Sequence, residues 1–213
     1  IVNGNLVTIP NLNTGYADAG DTIKYNLPQA FAMMILAWSG IEYQSNYINS
    51  GQYNSLANIL RWGMNYLMNC WQPDPNSGTP TSSANSYLVV QVGIGAAKEH
   101  NLWISHEVFE QAILDNQSAL GNISLGRSTI PYKRLAYYVN IAHPGPDLAG
   151  AMAAAMASGA TFFAKSSLPS DQLFAKQLYQ TAQQVLQFGQ NMASGSTCNN
   201  SPHCIANRNL GYS

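Results

Sequence analysis

An all-α fold is the reading this sequence supports best, and three observations carry it. Apolar residues recur at spacings of three and four over several long windows. Stretches rich in Pro, Ser, Asn and Gly separate those windows, and one window is dominated by Ala and Gly, the small residues of closely packed helices. At 213 residues the chain is long enough for a sizeable core and most simply forms one domain.

The first helix is expected to follow Asn26, a fair helix cap, with Pro28 in its first turn. Phe31, Met34, Trp38 and Ile41 then recur at helical spacing through to Tyr43. Because Met33, Ile35 and Leu36 occupy the other faces, this helix is predicted to be buried all round, with Trp38 in the core. A second helix is predicted over residues 55–71, with Leu56, Ile59, Leu60, Gly63 and Leu67 on its inner stripe and Trp62 also buried. Pro73 and Pro75 end it and open a polar loop over residues 72–86. Residues 87–92, rich in Val and Tyr, read locally as a strand. Helix returns over residues 105–114, followed by an Asn/Ser/Gly-rich stretch over 115–129. A small-residue helix over 147–163 is expected to pack closely through Ala149, Gly150, Ala153, Ala154 and Gly159. The last helix starts after Pro169 and turns Leu173, Leu178, Val185, Leu186 and Phe188 inward to about residue 192. No fixed-period repeat is evident.

Only 9% of residues are charged and the formal net charge is -1. With no basic patch to neutralise phosphates, nucleic acid is a poor partner. No uninterrupted apolar stretch approaches the length of a bilayer span, so no membrane is expected; the most apolar segment, residues 30–41, reads as a buried helix. A neutral chain rich in hydroxyls, amides and aromatics suits an uncharged polyol, and equally suits a secreted protein that must stay soluble. Of three cysteines, Cys198 and Cys204 bracket a short loop that a disulfide would close. A metal site of Cys198, His203 and Cys204 is the alternative, disfavoured because it lacks a second ligand pair. Cys70 sits in a helix and is either free or paired outside the chain. Sequons at Asn116, Asn122 and Asn199 favour glycosylation and an extracellular setting.

The chemistry-bearing feature is the tetrapeptide Asp18-Ala19-Gly20-Asp21. Two carboxylates separated by the two smallest residues lie where the backbone can turn tightly and aim both at one water molecule, a general-base arrangement. A bare pair of this kind equally caps a helix, so the context decides. Downstream come Lys24-Tyr25, Leu27-Pro28, Leu36-Ala37-Trp38 and Glu42-Tyr43, then Trp62-Gly63-Met64-Asn65-Tyr66-Leu67. Gln91-Val92-Gly93, His100 and Trp103 follow, then Pro144-Gly145-Pro146-Asp147-Leu148-Ala149-Gly150, and finally Gly211-Tyr212-Ser213. In this order the motifs resemble those of glycoside hydrolase family 9 endoglucanases, across nearly the whole chain.

The resemblance implies an (α/α)6 barrel, of which residues 1–213 would be a partial barrel: one stretch of a single catalytic domain continuing beyond both ends. It implies an inverting endo-β-1,4-glucanase acting on β-glucan, with Asp21 as general base and Asp18 positioning the same water. The aromatic and polar faces of His100 and Trp103, with Tyr16 beside the Asp pair, would contact sugar rings. Glu99, where the family usually has Asp, would orient His100. The family's general acid is a Glu close to the end of its catalytic domain, and Glu42, Glu99, Glu107 and Glu110 do not match it. A calcium ion is compatible with the family, but no oxygen cluster here is specific enough to assign, and neither a metal ligand nor a cofactor is named. Ala17, Ile94, Asn140 and Ala151 replace residues usual in the family. They support a second reading, a non-catalytic structural or glycan-binding glycoprotein on the same fold. Half a barrel would also leave apolar helix flanks uncovered, to be covered by the remainder of a longer polypeptide.

Overall fold

A computed structural model describes residues 12–93, 99–102, 104–115, 122–125, 128–131 and 135–192. Trp103, Asn116, Cys198, Asn199 and Cys204 lie outside the described residues.

Among the described residues there are six α-helices and six short strands. Strand β1 (Lys24–Tyr25) runs directly into helix α1 (Asn26–Glu42), followed by the short α2 (Gln44–Asn49) and by α3 (Tyr53–Cys70). Strands β2 (Trp71–Gln72) and β3 (Tyr87–Val92) flank the polar loop, and α4 (His106–Asp115) comes next. A hairpin of β4 (Asn122–Leu125) and β5 (Ser128–Pro131) precedes β6 (Ala136–Val139). The long α5 (Pro146–Ala164) and α6 (Pro169–Asn191) complete the described chain. The predicted helices are all present, with boundaries within two residues at most ends. The addition is a small antiparallel sheet in which β3 pairs with β1, β2 and β6. All six residues of β3 are buried, the polar Gln91 included, so both faces of this strand are covered.

The core lies where α1, α3, α5 and α6 meet. Leu148, Met152, Ala155, Met156, Phe162 and Phe163 of α5 pack against Leu60, Met64 and Leu67 of α3 and against Phe174, Leu178, Val185 and Phe188 of α6. A Cβ on Gly40 would lie 2.6 Å from the Phe162 ring and 2.7 Å from Leu56, so only glycine lets α1 approach both neighbours this closely. Arg61 pairs with Asp171 and lies over the rings of Phe163 (4.8 Å) and Phe174 (4.4 Å), joining α3 to the helices beyond it. Helix α5, with a mean hydropathy of 1.2 over its apolar window, is long and apolar enough by composition to cross a membrane. Most of that window is buried against its neighbours, as in a core helix.

Several side chains depart from expectation. Helix α1 is not buried all round: Phe31, Ile35 and Trp38 form an exposed stripe, with Trp38 56% accessible. Trp62 is likewise exposed, not core, and so are Ile59, Leu173 and Leu186, which were expected to face inward. The physical reason is that periodicity reports which side chains are apolar, while burial depends on which neighbour is present to cover them. Asn26 is no cap. It is the first residue of α1, fully buried, where its amide donates to the Val89 carbonyl (2.7 Å) and its side-chain oxygen accepts from Tyr66 Oη (2.7 Å). Gly150 faces open space and so does not serve close packing, whereas a Cβ on Gly159 would meet Met64 at 2.8 Å. Cys70 is free and fully buried, and burial pushes its thiol pKa up to about 12, which leaves it an unreactive packing residue.

Candidate active site

The loop before β1 is shaped by backbone bonds. The Asp18 N–H donates to the Ile23 carbonyl (2.7 Å) and the Asp21 N–H to the Asp18 carbonyl (3.2 Å), closing a tight turn. The left-handed conformation in this turn falls on Ala19 (φ 42°), not on Gly20. A residue with a Cβ there carries strain of about 1 kcal/mol, a cost the surrounding bonds hold in place.

Three contacts tie the preceding residues to the helices. The Tyr16 N–H donates to Gln29 Oε1 (2.6 Å), Tyr16 Oη donates to the Ile59 carbonyl (3.1 Å), and Trp62 Nε1 donates to the Gly15 carbonyl (2.8 Å). Trp62, although exposed, thus holds the loop through its indole N–H. Lys24 reaches back along the same segment, its Nζ donating to the carbonyls of Leu12 (2.8 Å) and Thr14 (2.6 Å). The loop is therefore braced from α1, α3 and β1, and a braced loop can hold reacting groups in one geometry.

Asp21 is 3% accessible, and both of its carboxylate oxygens are engaged. Oδ1 accepts from the Ile23 N–H (3.0 Å), and Oδ2 lies 2.9 Å from His100 Nδ1. A carboxylate can only accept, so with Asp21 ionised the imidazole donates through Nδ1–H. Burial raises the Asp21 pKa above the usual aspartate value, the neighbouring Asp18 charge adds to it, and the bonds from His100 and Ile23 oppose it. The net direction is upward, which makes Asp21 a stronger base than an exposed aspartate. Asp18 is half-buried and lines a cavity of about 260 Å3 together with Tyr16, Ala17, Tyr25, Gln29 and Met33. The Nε2 of Gln29, a buried residue, has no hydrogen-bond partner here.

Three of the five expected site residues thus lie together: Asp18 and Asp21 on one turn, and His100 brought to Asp21 by the turn His100–Leu102. Tyr16 is at the site but spends its hydroxyl on α3. Glu99 makes a contact the sequence does not suggest. Its carboxylate accepts from Thr22 Oγ1 (3.0 Å), the residue next to Asp21. Thr22 and Gln29 carry no motif that marks them, and Trp62, although it opens a motif, reads from the sequence as core; of the three only Thr22 lies beside the Asp pair in sequence. Among the described residues no group of three or more His, Cys, Asp and Glu could hold a metal ion.

The model of a family described as glycosyl hydrolase family 9 matches residues 7–210. Endoglucanase 15 of Arabidopsis thaliana is 33% identical over 178 residues, covering 84% of this chain and 29% of its own length. Endoglucanase 2 of Oryza sativa subsp. japonica is 32% identical, covering 82% of this chain and 21% of its own. Among solved structures, the termite endoglucanase of Nasutitermes takasagoensis superposes with a TM-score of 0.65 at 24% identity, covering 92% of this chain and 36% of that one. Endoglucanase CelQ of Clostridium thermocellum, solved with cellotetraose, gives a TM-score of 0.51 at 28% identity over 79% of this chain and 22% of its own. The chain therefore spans less than a third of the length of the curated relatives it matches. These likenesses identify the helical hairpins as part of an (α/α)6 barrel.

Proposed function

Because this chain belongs to glycosyl hydrolase family 9, a family of glycoside hydrolases, we propose that it carries the base half of an inverting endo-β-1,4-glucanase. The observation that supports this most is the buried Asp21 carboxylate, raised in basicity and held by His100. In an inverting reaction one carboxylate removes a proton from water as the water attacks the anomeric carbon, and a carboxylic acid on the other side protonates the departing glycosidic oxygen. Asp21 takes the first role. Asp18, on the same turn and facing the adjacent cavity, holds the same water from its other side. His100, beside Asp21 through Nδ1, offers its ring to a sugar hydroxyl. Trp103 supplies an aromatic face for a sugar ring, and Tyr16 borders the site. No residue of this chain is assigned as the acid.

β-1,4-Glucan is the proposed substrate; the solved complex of CelQ with cellotetraose supports that class. No cofactor is invoked. Secretion, glycosylation at Asn116, Asn122 and Asn199, and a Cys198–Cys204 disulfide belong to the same proposal and rest on the sequence alone. The exposed stripe of Phe31, Ile35 and Trp38 supports the reading that further helices of the same domain cover α1. The departures at Ala17, Ile94, Asn140 and Ala151 favour the second reading, a glycan-binding protein without turnover. Hydrolysis of soluble cellulose by the full-length protein, with Asp21→Ala as control, separates the two. The first reading expects reducing ends from the native protein and a loss of 100-fold or more (~10²) in the variant. Binding of cello-oligosaccharides with no turnover by the native protein would leave the second.

A further inference from the structure

The turn bearing Asp21 and the turn bearing His100 are joined at two successive positions in opposite directions. Asp21 meets His100 at 2.9 Å, and Thr22 meets Glu99 at 3.0 Å. The two contacts differ in environment. Thr22 and Glu99 are 3% and 1% accessible, while the His100 side chain is 35% accessible. A half-exposed imidazole has rotamers open to water, so its place on Asp21 depends on the backbone that carries it. Glu99 is the start of that backbone: its carbonyl accepts from the Leu102 N–H (3.1 Å) and so closes the turn His100–Leu102. At the other end of the contact Thr22, β-branched and stiff about χ1, presents its hydroxyl from the residue between Asp21 and Ile23.

We propose that the buried Thr22–Glu99 hydrogen bond is a positioning device for the base, Glu99 and Thr22 acting through the two turns to keep the His100 imidazole on Asp21. The proposal rests on the reading of Asp21 as the general base. The sequence alone assigns Glu99 to His100; the structure adds a contact of Glu99 with Thr22, on the main chain that leads out of Asp21. Among the described residues, groups near this pair include Asp18 on the same turn, His100 opposite, and Tyr137 of β6, whose hydroxyl pKa is raised by burial and by the charge of Glu99. Lys24 of β1 directs its ammonium to the carbonyls of Leu12 and Thr14. Loss of the His100 bond removes an influence that lowers the Asp21 pKa, so the acid limb of the pH–rate profile moves to higher pH.

The test compares Thr22→Val, Thr22→Ser and Glu99→Gln in the full-length protein. Two readouts are used: the imidazole Nδ1–H resonance of His100, and kcat/KM against pH on soluble cellulose. Thr22→Val is expected to lose the protected Nδ1–H resonance, to move the acid limb upward, and to lower kcat/KM at neutral pH by about tenfold. Thr22→Ser, which restores the donor, is expected to recover all three. Should Thr22→Val fail to fold, Glu99→Gln decides, because its amide oxygen still accepts from Thr22: retention of the resonance and limb supports the proposal, and their loss in a folded variant overturns it. A folded Thr22→Val with an unchanged resonance and limb, and only a lower melting temperature, would also overturn it. Turnover surviving in Asp21→Asn would instead refute the base assignment, while the His100 resonance continues to judge the positioning role independently.

Discussion

Burial and hydrogen bonding oppose each other at Asp21, and burial prevails. A carboxyl whose folded pKa is raised favours the protonated form, so its contribution to stability is complete below the ordinary value of 3.8 and is lost as pH rises through the raised value. Asp21→Asn keeps an acceptor for the Ile23 N–H and cannot ionise. It is therefore predicted to melt higher than the native protein near neutral pH, with the difference disappearing in acid below the ordinary value; calorimetry at both pH values checks this, and a variant that melts lower at neutral pH refutes it. The Asp pair and His100 were legible in the sequence because their motifs sit in an ordered series. The bond of Thr22 to Glu99 was not, because a contact across 77 residues leaves no local pattern. Nor was the strain at Ala19, since a neighbouring glycine is the residue expected to absorb a left-handed turn.

Helix existence was readable from spacing, and helix faces were not. Helix α1 is apolar on nearly every side, so the sequence alone places Trp38 and Phe31 inward as readily as Met33, which is buried. What selects the buried face is the approach of α3 and α5, and Gly40 records that approach. Gly40→Ala is predicted to destabilise the protein by about 1–3 kcal/mol, since the new methyl group must displace the Phe162 ring and Leu56. Gly150→Ala in α5 meets nothing within 4 Å and is predicted to be neutral or to stabilise by up to about 1 kcal/mol through helix propensity. Thermal melts of the two variants side by side check both signs, and equal effects would contradict this account of the packing. The small sheet was legible only at β3, because β1 and β2 are two residues each and carry no period of their own.

At the scale of the molecule, the described helices pack into one core yet leave Phe31, Ile35 and Trp38 in a row on α1, with Ile59 and Trp62 exposed on α3. Residues 1–213 produced alone are predicted to self-associate, and replacing Phe31 and Trp38 with Ser is predicted to reduce that association; light scattering at several concentrations measures it. A monodisperse monomer with the native residues would contradict the reading that this face is covered by further helices. On the proposed mechanism Asp21 delivers water to the anomeric carbon on the side opposite the leaving oxygen. Proton NMR of the first anomer released when the full-length protein hydrolyses a β-1,4-linked cello-oligosaccharide tests it most directly. Inversion with Asp21 as base gives the α-anomer from the native protein and no release from Asp21→Asn, whereas initial release of the β-anomer, or undiminished release from the variant, would refute it.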